Sequence, residues 1–487
     1  MPERSTTAAT QNRVTAGVAL LRPFALLGIA FGALITVADP DLWGHVRFGL
    51  DILQSGNIVT PVDPYSFTQD RPWVNHEWLS EVITAAPYKV GGTTALFTLK
   101  GLLTAILAGS AWLMLRRTSF VWRWSSLALL AWGTLPLTFT LRPQFWTAIL
   151  LVPLITILTS ESRRLYWLLP ALFALWANLH GGWIVGGGLF AIFAGAALIE
   201  RRPTRWALLG TGLVSFLATL LTPYGLDLWT FLLETIRLDR SDISEWRPIW
   251  QQTYGYVVIW ALTLVTALIT LRKFGWPPLA TTVSLACLAV ASARVGRLLP
   301  LFVIAAVTLL SKQWPPEEEA GAGQVARSLL DVVGVTAVIL MAFRVGAILP
   351  CPANGSIVAP DTVAAEALRG TRGRLIPHFP WGEYALWHFG PALQVSFDGR
   401  RETVYSTQTI REQWAIRDGT DLGFETLRRL NPDYVWLPVE SAATVDWLTT
   451  NGYREDIRTE RSFIAVRRDL PPLRAWEGTP SGCFPGP

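Results

Sequence analysis

The chain has 487 residues, of which 51% are hydrophobic and 16% charged, with a mean hydropathy of +0.35. A soluble domain averages about 25% charged residues, so this composition excludes a disordered chain and argues against a purely soluble one. The formal charge of +5 is too small an excess to point to nucleic acid, and the 24 Trp suit a protein anchored at two water–lipid interfaces.

Apolar stretches approaching about 20 residues read as membrane-spanning helices. The first is Gly17–Ala38, too long and too late for a cleaved signal peptide. Others follow at Thr93–Leu115, Phe120–Leu141, Phe145–Leu158, Leu165–Leu179, Trp183–Ile199 and Trp206–Leu221, then at Tyr254–Leu271, Trp276–Ser292, Leu298–Leu310 and Val332–Leu349. The expected fold is an α-helical polytopic membrane domain of about eleven transmembrane helices, residues 1–350, followed by an extracytoplasmic α/β domain, residues 351–487.

Basic residues set the orientation. With the N-terminus in the cytoplasm, the cytoplasmic connections hold Arg116 and Arg117, Arg163 and Arg164, Arg201, Arg202 and Arg205, Arg272 and Lys273, and Lys312 with Arg327. The external connections are residues 39–92, 142–144, 180–182, 223–253 and 293–297, and the tail is external too. In the tail, helices are predicted near Asp361–Arg369, Thr409–Ile416, Phe424–Leu430 and Ala442–Thr450. Strands are predicted near Arg374–Pro377, Leu393–Phe397, Tyr434–Leu437 and Phe463–Val466. The loop Trp314–Gly323 reads as a solvated linker.

The first external loop concentrates the chain's polar chemistry. Its sequence ADPDLWGHVRFGLDIL begins with Asp39 and Asp41 where the first span ends, and includes His45. A second cluster, NHEWLSE, holds His76, Glu77 and Glu81. Carboxylates at the hydrocarbon edge are costly unless paired or bound to a cation. Two of them suit a divalent metal, magnesium or manganese, or one can take a proton from a nucleophile. They equally suit capping of the amphipathic helix that follows. His76 and Glu77 either complete a site with the Asp pair or simply interact with each other.

Arg142, Arg294 and Arg297 stand on the external side, where the topology rule disfavours cations. A guanidinium fork matches the oxygens of a lipid phosphate; pairing with the loop's acids or snorkelling to headgroups are the plainer readings. WANLHGGW brings Asn178 and His180 to a helix end, as a polar contact or as packing. In the tail, FPWGEYALWHFGPALQVSFDGRRETVYS gathers Trp381, Glu383, Tyr384, Asp398 and Arg400. Aromatics beside carboxylates suit sugar or peptide contacts as well as an ordinary core. Cys351 and Cys483 bracket the tail and could pair in an oxidising compartment, whereas Cys287 lies in an apolar run.

Acids directly after the first helix, many spans and an external C-terminal domain together resemble the GT-C superfamily of integral-membrane glycosyltransferases. The segment ADPDLWGHVRFG is similar in layout to the first acidic motif of oligosaccharyltransferase catalytic subunits. PWGEYALWHFGPALQVSFDGR loosely resembles their tryptophan–aspartate–tyrosine–glycine region, but the order here is Trp381-Gly382-Glu383-Tyr384, so peptide recognition does not carry over.

The resemblance implies a polyprenyl-phosphate-linked sugar donor, membrane lipids as partners, an acceptor that is a glycan, lipid or protein, and no nucleotide. Asp41 or Asp39 would be the general base or metal-positioning acid. His76 and Glu77 would be further acids or substrate contacts, and Arg142, Arg294 and Arg297 would stabilise the lipid-phosphate leaving group. A transporter of lipid-linked glycans, with Lys100 and Arg344 inside predicted spans, and a non-catalytic assembly protein are the rival classes.

Overall fold

A segment apolar at nearly every position has no face to turn to water and must be buried on all sides. Leu299–Leu310, opened by Pro300 in its first turn, is such a helix, and all 12 of its residues are buried. It belongs to the computed structural model's first unit, made of Met1–Thr36, Phe97–Gly225 and Arg237–Pro350. The structure describes residues 18, 20–60, 62–160, 162–236, 238, 240, 243–317, 335–336, 339, 353–354, 359–478 and 483–486. Arg344, Cys351 and most of the predicted span Val332–Leu349 lie outside the described residues.

Around Leu299–Leu310 pack the helices Phe120–Gly133, Gln144–Leu158, Tyr254–Phe274 and Leu279–Arg294. Leu21–Leu34 packs on Phe120–Gly133, and Arg205–Ala218 on Leu169–Leu179. Among the described residues, Trp78–Leu115, Tyr254–Phe274 and Gly296–Gln313 are long and apolar enough to cross a membrane. Shorter apolar helices at Leu21–Leu34, Gln144–Leu158, Trp183–Ile199, Arg205–Ala218 and Leu279–Arg294 stand where the sequence places spans. The predicted span Phe120–Leu141 is broken, because Phe120–Gly133 ends at Thr134 and a short helix, Leu135–Thr138, restarts with Pro136 in its first turn.

The second unit comprises Val37–Leu96, Leu226–Ile236 and Cys351–Pro487. Its five-stranded sheet runs in the order Leu393–Val395, Gly373–Pro377, Tyr434–Pro438, Ser462–Arg467, Tyr453–Arg458. The first three strands are parallel and the last two pair antiparallel. Ile376, Val435, Leu437 and Phe463 of the sheet meet Ile416, Leu427, Val445 and Leu448 of the helices in one core. The four predicted tail helices are present at Thr362–Glu366, Thr407–Asp418, Asp421–Leu430 and Ala442–Thr450.

The acidic segment 39–92 is not irregular. Leu42–Ser55 is a helix that ends on Gly56, whose φ of 73° is the left-handed conformation usual after a helix. Trp78 opens a second helix that carries Glu81 in its first turn, where an acid meets the positive end of the helix dipole. That helix breaks at Gly91 and Gly92, just before the predicted span at Thr93. Val37–Ala38 pairs in parallel with Ala353–Asn354, tying the start of the loop to the start of the tail.

Candidate functional site

The helix Leu42–Ser55 needs acceptors for its first N–H groups. Asp41 stands at its N-cap yet makes no side-chain capping bond. Asp39 uses its Oδ1 to accept the Asp41 N–H at 3.0 Å, which turns the chain into the helix. The capping acceptor comes instead from the tail, since Glu383 Oε2 accepts the Gly44 N–H at 3.0 Å. A Cβ at position 44 would sit 2.2 Å from that oxygen, so glycine is what lets the carboxyl reach the helix.

Asp41 and Glu383 both line Gly399: an added Cβ there would lie 2.8 Å from Asp41 Oδ1 and 2.5 Å from Glu383 Oε1. Burial raises the Glu383 pKa well above the usual carboxyl range. Asp41 and Asp398 push it the same way, against Arg400 and the Gly44 N–H. Two acids from opposite ends of the sequence are thus held close, one of them biased toward its neutral form.

Asp398 and Arg400 form a buried ion group. Arg400 donates to Asp398 from Nε at 2.9 Å and Nη2 at 2.7 Å, and its Nη2 lies 2.8 Å from Asp63 Oδ2. Tyr405 donates its hydroxyl to Asp398 at 2.7 Å, and the guanidinium lies over Phe48 and Trp73. Asp63 comes from the first loop and Asp398 from the tail, so the ion group locks loop to tail within this unit. These charges are bound to one another, an arrangement that positions more readily than it binds a ligand.

His45 Nδ1 lies 3.5 Å from Glu81 Oε1, and Asn75 donates to the other Glu81 oxygen at 2.6 Å. Burial alone would lower the His45 pKa, but Glu81, Glu77 and Asp41 outweigh it and raise it to about 9. His76 lies 3.5 Å from Glu77 and packs beside Phe231. Trp381 is buried against Trp436, and Tyr384 against His388 and Trp43. Trp43 and His388 both bond the Pro485 carbonyl, at 2.7 and 2.9 Å. Cys483, two residues earlier, is disulfide-bonded; Cys287 is a free thiol.

No group of three or more His, Cys, Asp or Glu side chains among the described residues is arranged to hold a metal ion. Asp39 and Asp41 are the two carboxylates that would hold the expected magnesium or manganese, with water and phosphate oxygens completing the set; no chemistry is derived through a metal.

The first unit holds Arg142, Arg294 and Arg297. Arg142 Nη1 lies 3.2 and 3.3 Å from the two Glu245 oxygens, and Arg297 Nη1 lies 2.7 Å from Oε1. Arg297 also lies over Trp246. Arg294 is exposed in the last turn of Leu279–Arg294, where a cation suits the helix dipole. Asn178 donates to the Ala174 and Leu221 carbonyls. His180 Nδ1 accepts from the Gly182 N–H at 3.0 Å and lies 2.7 Å from Thr147 Oγ1, a packing network at a helix end. Lys100 is fully buried and donates to the Gly32 and Ile35 carbonyls at 2.6 and 2.7 Å. It caps the C-terminal end of Leu21–Leu34.

Glu245 and Asn75 were not singled out from sequence. The signal for Glu245 was indirect: two unexplained external arginines require an anion, and the long connection 223–253 supplies one.

No protein-family model matches the sequence, and no curated protein matches it. Solved structures do match its fold. ArnT from Cupriavidus metallidurans bound to undecaprenyl phosphate is 13% identical, with a TM-score of 0.50 over 94% of this chain and 98% of that one. The same protein in the apo state is 12% identical, with a TM-score of 0.52 over the same shares. The arabinofuranosyltransferase AftD from Mycobacteria is 17% identical, with a TM-score of 0.48 over 96% of this chain and 40% of its own. The chain therefore shares the fold of ArnT along nearly its whole length.

Proposed function

We propose that the chain is a membrane glycosyltransferase that moves a sugar from a polyprenyl-phosphate-linked donor to an acceptor on the external face of the membrane. The observation that carries this reading is the whole-chain likeness to ArnT bound to undecaprenyl phosphate. The acidic loop of the second unit supports it independently. In the proposed layout about eleven helices span the inner membrane, with the N-terminus cytoplasmic and the tail, residues 351–487, external.

In the proposed step, an acceptor oxygen attacks the anomeric carbon while the bond from that carbon to the phosphate oxygen breaks. The phosphate departs with the electron pair. Asp41, held beside the buried Glu383 at Gly399, is assigned to take the acceptor's proton, with Asp39 as the alternative. His45 sets a positive charge beside Asp41, and His76 and Glu77 are assigned as further acids or substrate contacts. Arg297 and Arg142, with Arg294, are assigned to the leaving phosphate, whose negative charge grows in the transition state.

The test is sugar transfer from a labelled polyprenyl-phosphate donor. Asp41→Asn is expected to lower the rate by roughly 10²-fold or more, the usual worth of a general base. Arg297→Ala is expected to lower it by about 10²-fold, the usual worth of one donor to a developing charge. Unchanged transfer in both variants would sink the site assignment. Absence of transfer from every donor tried with the native chain would favour a binding or assembly protein.

A further inference from the structure

Two arginines that share one carboxylate leave a question about the third partner. Arg142 stands just before the helix Gln144–Leu158, and Arg297 lies in the turn Gly296–Leu298 that leads into Leu299–Leu310. Both reach Glu245, which lies in the single turn Ser244–Trp246. The three line a small pocket together with Gln144 and Tyr256. The Glu245 side chain is 31% exposed, so one side of it faces water.

We propose that Glu245 is a built-in substitute for a phosphate: it holds the Arg142–Arg297 pair when no ligand is bound, and a phosphate ester displaces it. The proposal rests on the reading of these arginines as phosphate ligands. The geometry favours exchange over a permanent clamp for three reasons.

First, a carboxylate and a phosphate present similar oxygen pairs to a guanidinium, so one can replace the other without moving the arginines. Second, both guanidiniums already converge on one point, Glu245 Oε1, at 3.2 and 2.7 Å, which a phosphate oxygen can occupy in its place. Third, the backbone beside Glu245 is anchored independently of its carboxylate. The guanidiniums of Arg240 and Arg297 lie 4.4 and 5.5 Å from the centre of the Trp246 ring, and the Arg247 carbonyl accepts the Gly296 N–H at 3.0 Å. The side chain can therefore rotate toward water while its turn stays in place.

Arg297 and Arg142 keep the Glu245 pKa below the ordinary carboxyl range although burial opposes them. Displacement is therefore a competition between anions, not a protonation. The device also preserves the site. Two guanidiniums drawn together with no anion would repel each other, and Glu245 keeps them placed until a ligand arrives.

The experiment uses the full chain in lipid nanodiscs. Binding of undecaprenyl phosphate is measured for the native chain and for Glu245→Gln, with the uncharged undecaprenol as control and inorganic phosphate as competitor. Glu245→Gln removes the internal competitor and is expected to tighten undecaprenyl phosphate about tenfold, the lower end of the worth of a charged hydrogen bond, and to leave undecaprenol unchanged. Competition by inorganic phosphate that also strengthens in the variant would assign recognition to the phosphate alone. Tightening for the lipid only would assign the lipid headgroup as the source.

Unchanged or weakened binding in Glu245→Gln overturns the proposal, because loss of a mere clamp would disorganise the arginines. If that chain does not fold, Glu245→Asp keeps the charge but shortens its reach, and tightening is again expected. Arg297→Ala and Arg142→Ala must weaken the native chain's binding. If they do not, the phosphate reading itself fails, a result distinct from failure of the exchange.

Discussion

His45 shows how a single side chain reports its surroundings. Free imidazole has a pKa near 6.5; here three acids raise it to about 9 despite burial. The raised value means that the folded chain holds a proton the unfolded chain has lost. The stabilisation is therefore complete below pH 6.5 and vanishes as the pH rises through 9. It amounts to on the order of 3 kcal/mol, from about 1.4 kcal/mol per pKa unit. Thermal melts in detergent are expected to fall steeply between pH 6.5 and 9, and His45→Gln to flatten that slope. An equally steep slope in the variant would assign the pH dependence elsewhere. From sequence, His45, Glu81 and Asp41 were recognisable as an anomalous cluster. That Glu383 would join them was not, because 339 residues separate Gly44 from the carboxyl that caps it, and no local pattern encodes such a pairing.

At the scale of elements, apolar periodicity carried far. The tail helix Ala442–Thr450 was legible to the residue, and its strands nearly so. The strand Tyr453–Arg458 was not, since its sequence YREDIR turns only Tyr453 and Ile457 fully inward. It lies at the sheet's edge, where charged residues guard against stray pairing and erase the usual alternation.

Two element contacts make predictions. A Cβ at Gly49 would lie 2.1 Å from the Glu81 carbonyl oxygen, so Gly49→Ala forces apart the loop's two helices. A loss of roughly 1–3 kcal/mol is expected, as for other overpacked cores. Lys100→Met leaves two helix-end carbonyls without a donor and is expected to cost about 1–3 kcal/mol. Denaturation followed by tryptophan fluorescence checks both, and a Lys100→Met chain as stable as the native one would show that the helix end does not depend on this cap.

For the whole molecule, the arrangement of basic residues predicts which surfaces face which compartment. Single cysteines placed by Ser55→Cys and Glu440→Cys are expected to react with a membrane-impermeant maleimide from the external side. One placed by Arg117→Cys is expected to react only after the membrane is opened. All three positions are exposed. Labelling of Arg117→Cys in sealed, right-side-out vesicles would reverse the proposed topology.

The second unit is assembled from three separate stretches of chain, the last of which begins at Cys351. Trp43 bonds a carbonyl 442 residues away. Closing so long a loop is slow, and its entropy is lost before the contacts that reward it can form. At synthesis rates of about 5–20 residues per second, the acidic loop therefore waits roughly 20–80 s between its own emergence and that of its tail partners. During that interval Asp41 and Glu81 stand without Glu383 and without the Arg400 ion group. A nascent chain therefore cannot complete this unit until the tail has emerged, and damage to the tail would disturb the packing of residues translated long before it.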